Sequence, residues 1–300
     1  MRKKVLALIS KTQTDFCNAL SEVDGKPFIT DEWTRDGGGG GKTCVLQDGN
    51  VIEKGGVNIS EVYGELTEAM AHSLHIPLAE VPVKQFYATG VSCVIHPFNP
   101  FAPTFHFNYR YFELGDAHKP SSWWFGGGCD LTPYYLFQED AIHFHQTQKD
   151  ACDRFDPQLY AELKAAADSY FYIKHRQEHR GIGGTFFMKS NHLEPEQHLT
   201  MHQAFCEALI PSYIPLLKKR KDLPFTEQNK RWQLIRRGRY VEYNLIYDVG
   251  TTFGLKSHGR TESILMSLPK HVIWEYDFHP EAGSPEEQML SVNQKPRDWV

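Results

Sequence analysis

Residues 104–113 alternate between aromatic and polar side chains, except that Phe112 is an aromatic residue at a polar position. A period of two is typical of a strand with one face on a core and the other toward solvent or a ligand. The aromatic positions are Phe105, Phe107, Tyr109 and Tyr111, and the polar positions between them are His106, Asn108 and Arg110. Because a histidine, an amide and a guanidinium are costly to bury without partners, the polar face is predicted to be either solvent-exposed or part of a site.

Hydrophobic patterning elsewhere predicts a mixture of strands and helices. Strands are predicted at 45–62 (around a turn at Asp48), 81–96, 185–187, 240–247, 263–268 and 272–277, with a glycine-rich bend at 123–130. Helices are predicted in the first thirty residues and at 138–154, 157–180 and 197–221, the last interrupted at Pro211 and Pro215. Helices that do not alternate regularly with strands indicate an α+β fold with a large, mainly antiparallel sheet, in one domain over residues 1–300.

Composition narrows the class of protein. Lysine plus arginine number 32 and aspartate plus glutamate 37, a net charge of −5 over 300 residues, which argues against general nucleic-acid binding. Aromatic residues make up 13%, which suits a large core or a pocket for a flat apolar ligand.

No apolar run reaches the roughly 20 residues of a membrane span, and the apolar stretch after Lys4 is too short for a signal peptide. Six scattered cysteines without a C-x-x-C pair indicate a reducing compartment, and the cytosol is predicted.

Two glycine-rich segments carry candidate chemistry. The run 37–41 precedes Lys42 and Thr43, but Asp36 stands where a phosphate-binding loop needs its first glycine, so nucleotide binding is rejected and a flexible flap or a tight hairpin remains. Asp130 follows three glycines that would let a ligand approach the backbone. Its carboxylate is interpreted either as an acceptor of hydrogen bonds or protons, or as a helix N-cap.

Basic and imidazole side chains suggest two further kinds of site. Arginines stand next to glycines at Arg180, 236–239 and Arg260, which indicates an anionic substrate or else ordinary surface ion pairs. Histidine is frequent, and four of the fifteen could form a metal site although no local metal motif supports it. These four are His96, His106, His145 and His175.

Taken together, the motifs resemble the oxygen-dependent coproporphyrinogen III oxidase family of haem biosynthesis. The resemblance runs in order through nearly the whole chain. The matching segments are 37–41, 45–49, 55–58, 90–100, 103–113, 123–133, 172–176, 180–184, 238–244, 254–255, 262–269 and 296–299.

This resemblance implies a fold, a reaction and partners. The fold would be a large flat antiparallel sheet sandwiched between helical layers, in a homodimer whose interface lies within residues 240–275. The reaction would convert two propionates of coproporphyrinogen III to vinyl groups, giving protoporphyrinogen IX with release of CO2 and H2O2. Molecular oxygen would be the co-substrate, with no organic cofactor, and the chain would be cytoplasmic like bacterial members. The alternatives are a non-catalytic tetrapyrrole-binding protein and a metal-dependent hydrolase.

Site residues follow from the same resemblance. His106 would be a proton donor, and Asp130 would accept hydrogen bonds from pyrrole N–H groups and help to deprotonate one. Some family members are described with a divalent metal at positions matching the four histidines named above, and others need none. The substrate-binding positions would be Ser92, Asn108, Tyr109, Arg110, Arg180, His258, Gly259 and Arg260.

Overall fold

Regular secondary structure covers most of the chain. The computed structural model describes residues 1–74, 76–77, 79, 81–116, 118, 120–256 and 259–300. Its helices are α1 (Arg2–Asp24), α2 (Glu68–Ser73), α3 (Gln138–Asp153), α4 (Leu159–Tyr170), α5 (Pro195–Arg220), α6 (Glu227–Ile246), α7 (Val249–Lys256), α8 (Thr261–Leu265) and α9 (Pro285–Gln294). Its strands are β1 (Ile29–Thr34), β2 (Gly39–Gln47), β3 (Ile52–Glu65), β4 (Gln85–Pro97), β5 (Thr104–Gly115), β6 (Pro120–Thr132), β7 (Tyr172–Ile173), β8 (Glu178–His179) and β9 (Gly184–Ser190).

Seven of these strands form one antiparallel sheet in the order β1-β2-β3-β4-β5-β6-β9, and β7 pairs with β8 in a separate hairpin. The first six strands pair in chain order, so each lies beside the strand that precedes it in the chain. This arrangement confirms the predicted α+β class and the antiparallel sheet. Among the described helices, none is long and apolar enough to cross a membrane.

The aromatic face of β5 forms the centre of the main core, as its alternation predicts. Phe105 is fully buried and stacks on Tyr213 of α5 at 4.4 Å and on Phe16 of α1 at 5.6 Å between ring centroids. Phe107 lies edge-on to Phe16 at 5.2 Å. Helices α1, α3 and α5 therefore cover one face of the sheet with ring contacts, and the polar side chains of β5 are left on the other face.

Five predicted segments have a different structure. Residues 123–130 belong to β6 instead of a bend, and residues 171–180 form the β7–β8 hairpin instead of the end of a helix. Residues 240–247 lie almost wholly in α6, residues 263–268 include the end of α8, and 272–277 form no strand. Short apolar runs are compatible with a helix and with a strand. In α6 the side chains of Arg236, Tyr240 and Asn244 are buried at every fourth position, which is the helical pattern that the apolar composition of 240–247 obscured.

Helix α5 also continues through both prolines, where an interruption was expected. Pro215 has no N–H with which to bond the Pro211 carbonyl one turn earlier. His143 of α3 donates from Nε2 to that carbonyl at 2.8 Å. A neighbouring helix thus satisfies the acceptor that the proline leaves free.

Replacing Phe105 with alanine is predicted to destabilise the fold by about 3–5 kcal/mol, because a fully buried ring with several aromatic neighbours is lost and a cavity remains. Urea unfolding followed by tryptophan fluorescence measures the change. The matched control is Phe155→Ala, since the Phe155 side chain is 37% exposed and its loss should cost well under half as much. Equal costs for the two variants would contradict the assignment of the core.

Candidate active site

The polar face of the sheet forms the floor of a pocket of about 1350 Å³. Strands β3 to β6 supply the floor, the β1–β2 hairpin lies at one edge of the mouth, and residues 248–254 and 259–267 form the opposite wall. The polar lining residues include Asn58, Ser60, Ser92, His106, Asn108, Arg110, Arg180, Asn244, Asp248, Ser263 and Ser267. A pocket of this size on a flat sheet suits a large, flat ligand.

Strand register arranges the floor in rows, because residues paired across antiparallel strands point to the same face. Asn58 pairs with Ser92, Ser92 with Asn108, and Asn108 with Gly128, which makes one row of hydrogen-bonding groups. Arg110 stands in the next row. The predicted substrate contacts Ser92 and Asn108 therefore do lie side by side in the pocket.

Glycines on both sides make room for Arg110. It pairs with Gly90 on one side and Gly126 on the other. A Cβ on Gly126 would lie 3.0 Å from Nε of Arg110, and a Cβ on Gly90 would lie 3.0 Å from its Cβ. Among the described residues Arg110 has no carboxylate partner, and its Nη1 donates only to Oδ1 of Asn108 at 3.2 Å. Desolvation lowers the pKa of its guanidinium from the ordinary value, so this charged group is placed to gain from a carboxylate ligand.

His106 and Asp130 are cross-strand neighbours on β5 and β6. Nδ1 of His106 lies 2.6 Å from Oδ1 of Asp130, and the Asp130 side chain is 1% exposed. We assign the proton to Nδ1, because a donor is needed opposite a carboxylate at this distance. Nη2 of Arg180 also lies 3.0 Å from Nδ1, and with this assignment it donates to Oδ1 of Asp130 and not to the ring. The remaining nitrogen, Nε2, is then the imidazole atom free to exchange a proton with a ligand.

Arg180 fixes the other side of Asp130. It lies between β8 and β9, and its Nη2 and Nε donate to Oδ1 and Oδ2 of Asp130 at 2.8 and 3.1 Å. Nη1 donates to Oδ1 of Asn244 at 2.8 Å. The rings of Phe171 and Tyr240 lie 4.3 and 4.7 Å from the guanidinium carbon. The ion pair is therefore buried and almost fully bonded.

Burial alone would raise the pKa of Asp130. The charges and hydrogen bonds of Arg180 and His106 outweigh it and hold the pKa of this carboxyl below its usual range. Asp130 is therefore an anion at neutral pH, held between an arginine and a histidine. It is neither the helix N-cap nor an open acceptor, the two interpretations that its local sequence allowed.

Two predicted substrate contacts have other roles. Arg180 was expected to bind a substrate carboxylate, but its guanidinium is already committed to Asp130 and Asn244. Tyr109 was also expected to touch substrate, yet it is 1% exposed on the core face beside Phe205 and His202. The alternation along β5 places Tyr109 on the face opposite the polar residues, so the structure does not bring it into the pocket.

The remaining predicted contacts lie at the mouth of the pocket. Gly259 and Arg260 line its wall. Nη2 of Arg260 pairs with Oδ2 of Asp31 on β1 at 2.5 Å, which links that wall to the hairpin across the mouth. His258 falls outside the described residues.

The four histidines proposed as a metal site do not converge. His96 is fully buried, with its ring nitrogens bonded to Thr104 Oγ1 and the Ser267 carbonyl. The ring of His145 bonds Tyr160 and stacks on Trp299, and that of His175 bonds Tyr247 and Glu242. The described part of the chain holds no group of three or more histidine, cysteine or acidic side chains able to bind a metal ion. These residues do not fit the metal site that the resemblance implied.

Several pocket residues were missed by sequence reasoning. Asn58 and Ser60 alternate with Val57 and Ile59 on β3, a signal of the same kind as that on β5 but weaker. Asn58 also connects the floor to the wall of the pocket, because its Nδ2 donates a hydrogen bond to the Ser263 carbonyl at 2.7 Å. Asn244 gave no signal, because its segment was predicted as a strand.

A buried acid–base pair lies on the floor of a large pocket, on the same strand face as an arginine that has no carboxylate partner among the described residues, and this arrangement defines an enzyme active site for an anionic substrate. The family model described as coproporphyrinogen III oxidase matches residues 4–299. The chain belongs to this family of oxidoreductases. It is similar to coproporphyrinogen-III oxidase 1, chloroplastic, of Arabidopsis thaliana, 51% identical across 100% of this chain and 80% of that protein. It is similar also to the mitochondrial oxygen-dependent coproporphyrinogen-III oxidase of Homo sapiens, 53% identical across 100% of this chain and 67% of that protein. The resemblance expected from the motifs is thus confirmed.

These relatives correct the predicted compartment. The Arabidopsis protein is named chloroplastic and the human protein mitochondrial. The cytosolic prediction is therefore wrong by this comparison. Its main argument was the free cysteines, all six of which are indeed unpaired. Free thiols indicate a reducing environment, but they do not identify the compartment that provides it.

Replacing Asp130 with asparagine is predicted to destabilise the protein by about 3–5 kcal/mol at pH 7, because Arg180 keeps a buried charge without its partner. A carboxyl whose pKa is lowered on folding contributes stability above the unfolded pKa of about 4, and this contribution is lost as the pH falls through the folded pKa. The difference between wild type and variant should therefore shrink below about pH 4. Urea unfolding at pH 7, 5, 4 and 3 measures it.

The control for this prediction is Asp153→Asn, which removes a half-exposed pair with Lys149 on α3 and should cost less than about 1 kcal/mol. A cost for Asp130→Asn no larger than that of the control would mean that the buried ion pair is not formed.

Proposed function

We propose that this chain oxidatively decarboxylates two propionates of coproporphyrinogen III to vinyl groups, giving protoporphyrinogen IX in haem biosynthesis. Both relatives are named as coproporphyrinogen-III oxidases, and the human protein is named oxygen-dependent. The observation that carries the proposal is the floor of the pocket. There an arginine for which the described residues supply no carboxylate partner lies on the same strand face as a histidine oriented by a buried carboxylate.

The reaction balances with oxygen as the only oxidant. Each propionate arm, –CH2–CH2–COO⁻, takes up O2 and one proton and becomes –CH=CH2 with release of CO2 and H2O2. The bond to the carboxyl carbon breaks, and a hydrogen leaves the carbon next to the ring. The electron pair of the C–C bond forms the vinyl double bond, and the two electrons that remain in excess reduce oxygen. The protein's task is to bind the arm, orient it and move protons.

His106 is the residue placed to move a proton. With Nδ1 bonded to Asp130, its Nε2 can accept or return a proton at a pyrrole nitrogen or at the arm. Asp130 acts as a positioning residue through His106, since its two oxygens already accept from His106 and Arg180. This assignment moves the proton-accepting role expected of Asp130 to the imidazole.

Arg110 is the residue placed to hold the reacting arm. It stands four positions beyond His106 on the same strand face, about 13 Å along the strand, a span that fits one pyrrole ring and its propionate. Its guanidinium can form a bidentate pair with a carboxylate. Asn108 between them, bonded to Arg110, orients that guanidinium.

An oxygen electrode tests the proposed function directly. Purified protein with coproporphyrinogen III should consume two O2 and release two CO2 per protoporphyrinogen formed. Tight binding without oxygen uptake would favour the non-catalytic tetrapyrrole-binding alternative. If a chelator abolished oxygen uptake, the reaction would need a metal ion. That result would contradict a mechanism that uses only the residues described above.

Replacing Arg110 with alanine is predicted to raise KM about ten-fold or more and to lower kcat as well, because both binding and orientation of the reacting arm are lost. Arg110→Lys should restore the activity only in part, since it keeps the charge but loses the planar fork. Steady-state kinetics with coproporphyrinogen III measure both constants. A raised KM with unchanged kcat would show that Arg110 holds a carboxylate that does not react.

We also propose that the chain forms a homodimer through residues 240–275. Large apolar side chains are exposed there, including Ile246 at 55% and Trp274 at 53%. They extend around the end of α6 and the start of α7, with Leu245 and Val249 also exposed. A two-fold contact would cover the same patch on both copies.

Light scattering on a sizing column is predicted to give twice 34.5 kDa at micromolar concentration. Ile246→Glu should shift the mass to that of one chain, because an unpaired charge would be buried in the contact. The exposed Phe155 lies outside this patch, so Phe155→Glu should leave the mass unchanged. A wild-type monomer under these conditions would contradict the proposal.

A further inference from the structure

The glycine run 37–41 spans the tip of the β1–β2 hairpin and the first residues of β2. Gly38 and Gly39 have φ of 108° and 89°, a conformation that favours glycine, and the Arg35 carbonyl accepts from the Gly38 N–H at 2.9 Å. Only glycine fits at position 41, because a Cβ there would collide with the ring of Trp33. The run is therefore part of a tight hairpin, which is one of the two structures that the sequence allowed.

This turn presents the side chain of Arg35 to the pocket. A Cβ on Gly37 would lie 2.8 Å from Nη1 of Arg35, so the guanidinium packs directly over the tip. Its one hydrogen bond is a long contact of 3.4 Å from Nη1 to the Tyr63 carbonyl. Across the described ranges Arg35 pairs with no carboxylate, and the adjacent Asp36 is exposed and forms no ion pair with it.

The other pocket arginines differ in this respect. Arg180 is bonded to Asp130, and Arg260 is paired with Asp31. Only Arg35 at the mouth and Arg110 on the floor present guanidinium groups without a carboxylate partner, as far as the described residues extend. One ligand that contacts both would carry at least two well-separated anionic groups.

We propose that Arg35 binds a carboxylate of the substrate that does not react in that turnover, at the mouth of the pocket, while the reacting arm lies on the floor. The inference rests on the proposed function, because that substrate carries four propionates around a flat ring. A contact at a remote carboxylate sets which propionate faces His106. Arg35 is thus a binding and specificity residue, separate from the residues that move protons.

Kinetics of Arg35→Ala and Arg35→Lys with coproporphyrinogen III test the proposal. The alanine variant should raise KM roughly three- to ten-fold with kcat nearly unchanged, because a partly exposed charge pair is lost from binding alone. Lysine should restore part of the loss, and the effect should weaken at high salt. Arg154→Ala is the matched control, since Arg154 is an exposed arginine paired with Glu207 outside the pocket.

A substrate analogue makes the test independent of folding. The probe is a set of coproporphyrinogens in which one propionate at a time is replaced by ethyl. For one member of this set, wild type and Arg35→Ala should have the same KM, because the partner of Arg35 is absent from the ligand. An Arg35→Ala effect that persists equally for every analogue, or no effect with the natural substrate, would overturn the proposal. Wild-type protein that fails to oxidise coproporphyrinogen III would instead contradict the proposed function.

Discussion

The buried ion pair between Asp130 and Arg180 is the constraint on which the site depends. Two charges removed from water are tolerated only when they meet each other with good geometry and when their remaining atoms are bonded. Asp130 meets that condition with Arg180 and His106, and Arg180 meets it with Asn244 and a surround of aromatic rings. The pair joins β6, the β8–β9 connection and α6, so the wall and the floor of the pocket are fixed to each other.

Orientation of His106 follows from the same pair. The carboxylate stays ionised because Arg180 is beside it, and an ionised carboxylate holds the proton of His106 on Nδ1. The nitrogen that faces a ligand is thereby available to exchange a proton. Chemistry at the floor thus depends on an arginine that does not itself need to touch the substrate.

Strand register gives the site its shape. Glycines at positions 90 and 126 flank Arg110, and Gly128 flanks Asn108, so polar side chains rise from a floor without bulk between them. A flat macrocycle can approach such a floor closely, which a sheet with side chains at every position would prevent. The glycines of the hairpin tip have the same effect for Arg35 at the mouth.

Sequence reasoning predicted the parts of this site that lie on one strand. The alternation of β5 placed His106, Asn108 and Arg110 on one face, and the same alternation should have excluded Tyr109. The partnership of Asp130 with Arg180 could not be predicted, because the two are fifty residues apart and meet only through the β7–β8 hairpin that was mistaken for a helix. The pocket wall was missed for a similar reason, since short apolar runs in α6 and α8 fitted strands equally well.

The protonation of His106 is the most direct test of this account. Nitrogen NMR of protein labelled in the histidine ring reports which nitrogen of His106 carries the proton at neutral pH, with His106→Gln used to assign the signals. The account predicts a proton on Nδ1 and a bare Nε2 in the wild type, and loss of this preference in Asp130→Asn. A proton fixed on Nε2 in the wild type, with Nδ1 bare beside Asp130, would contradict it.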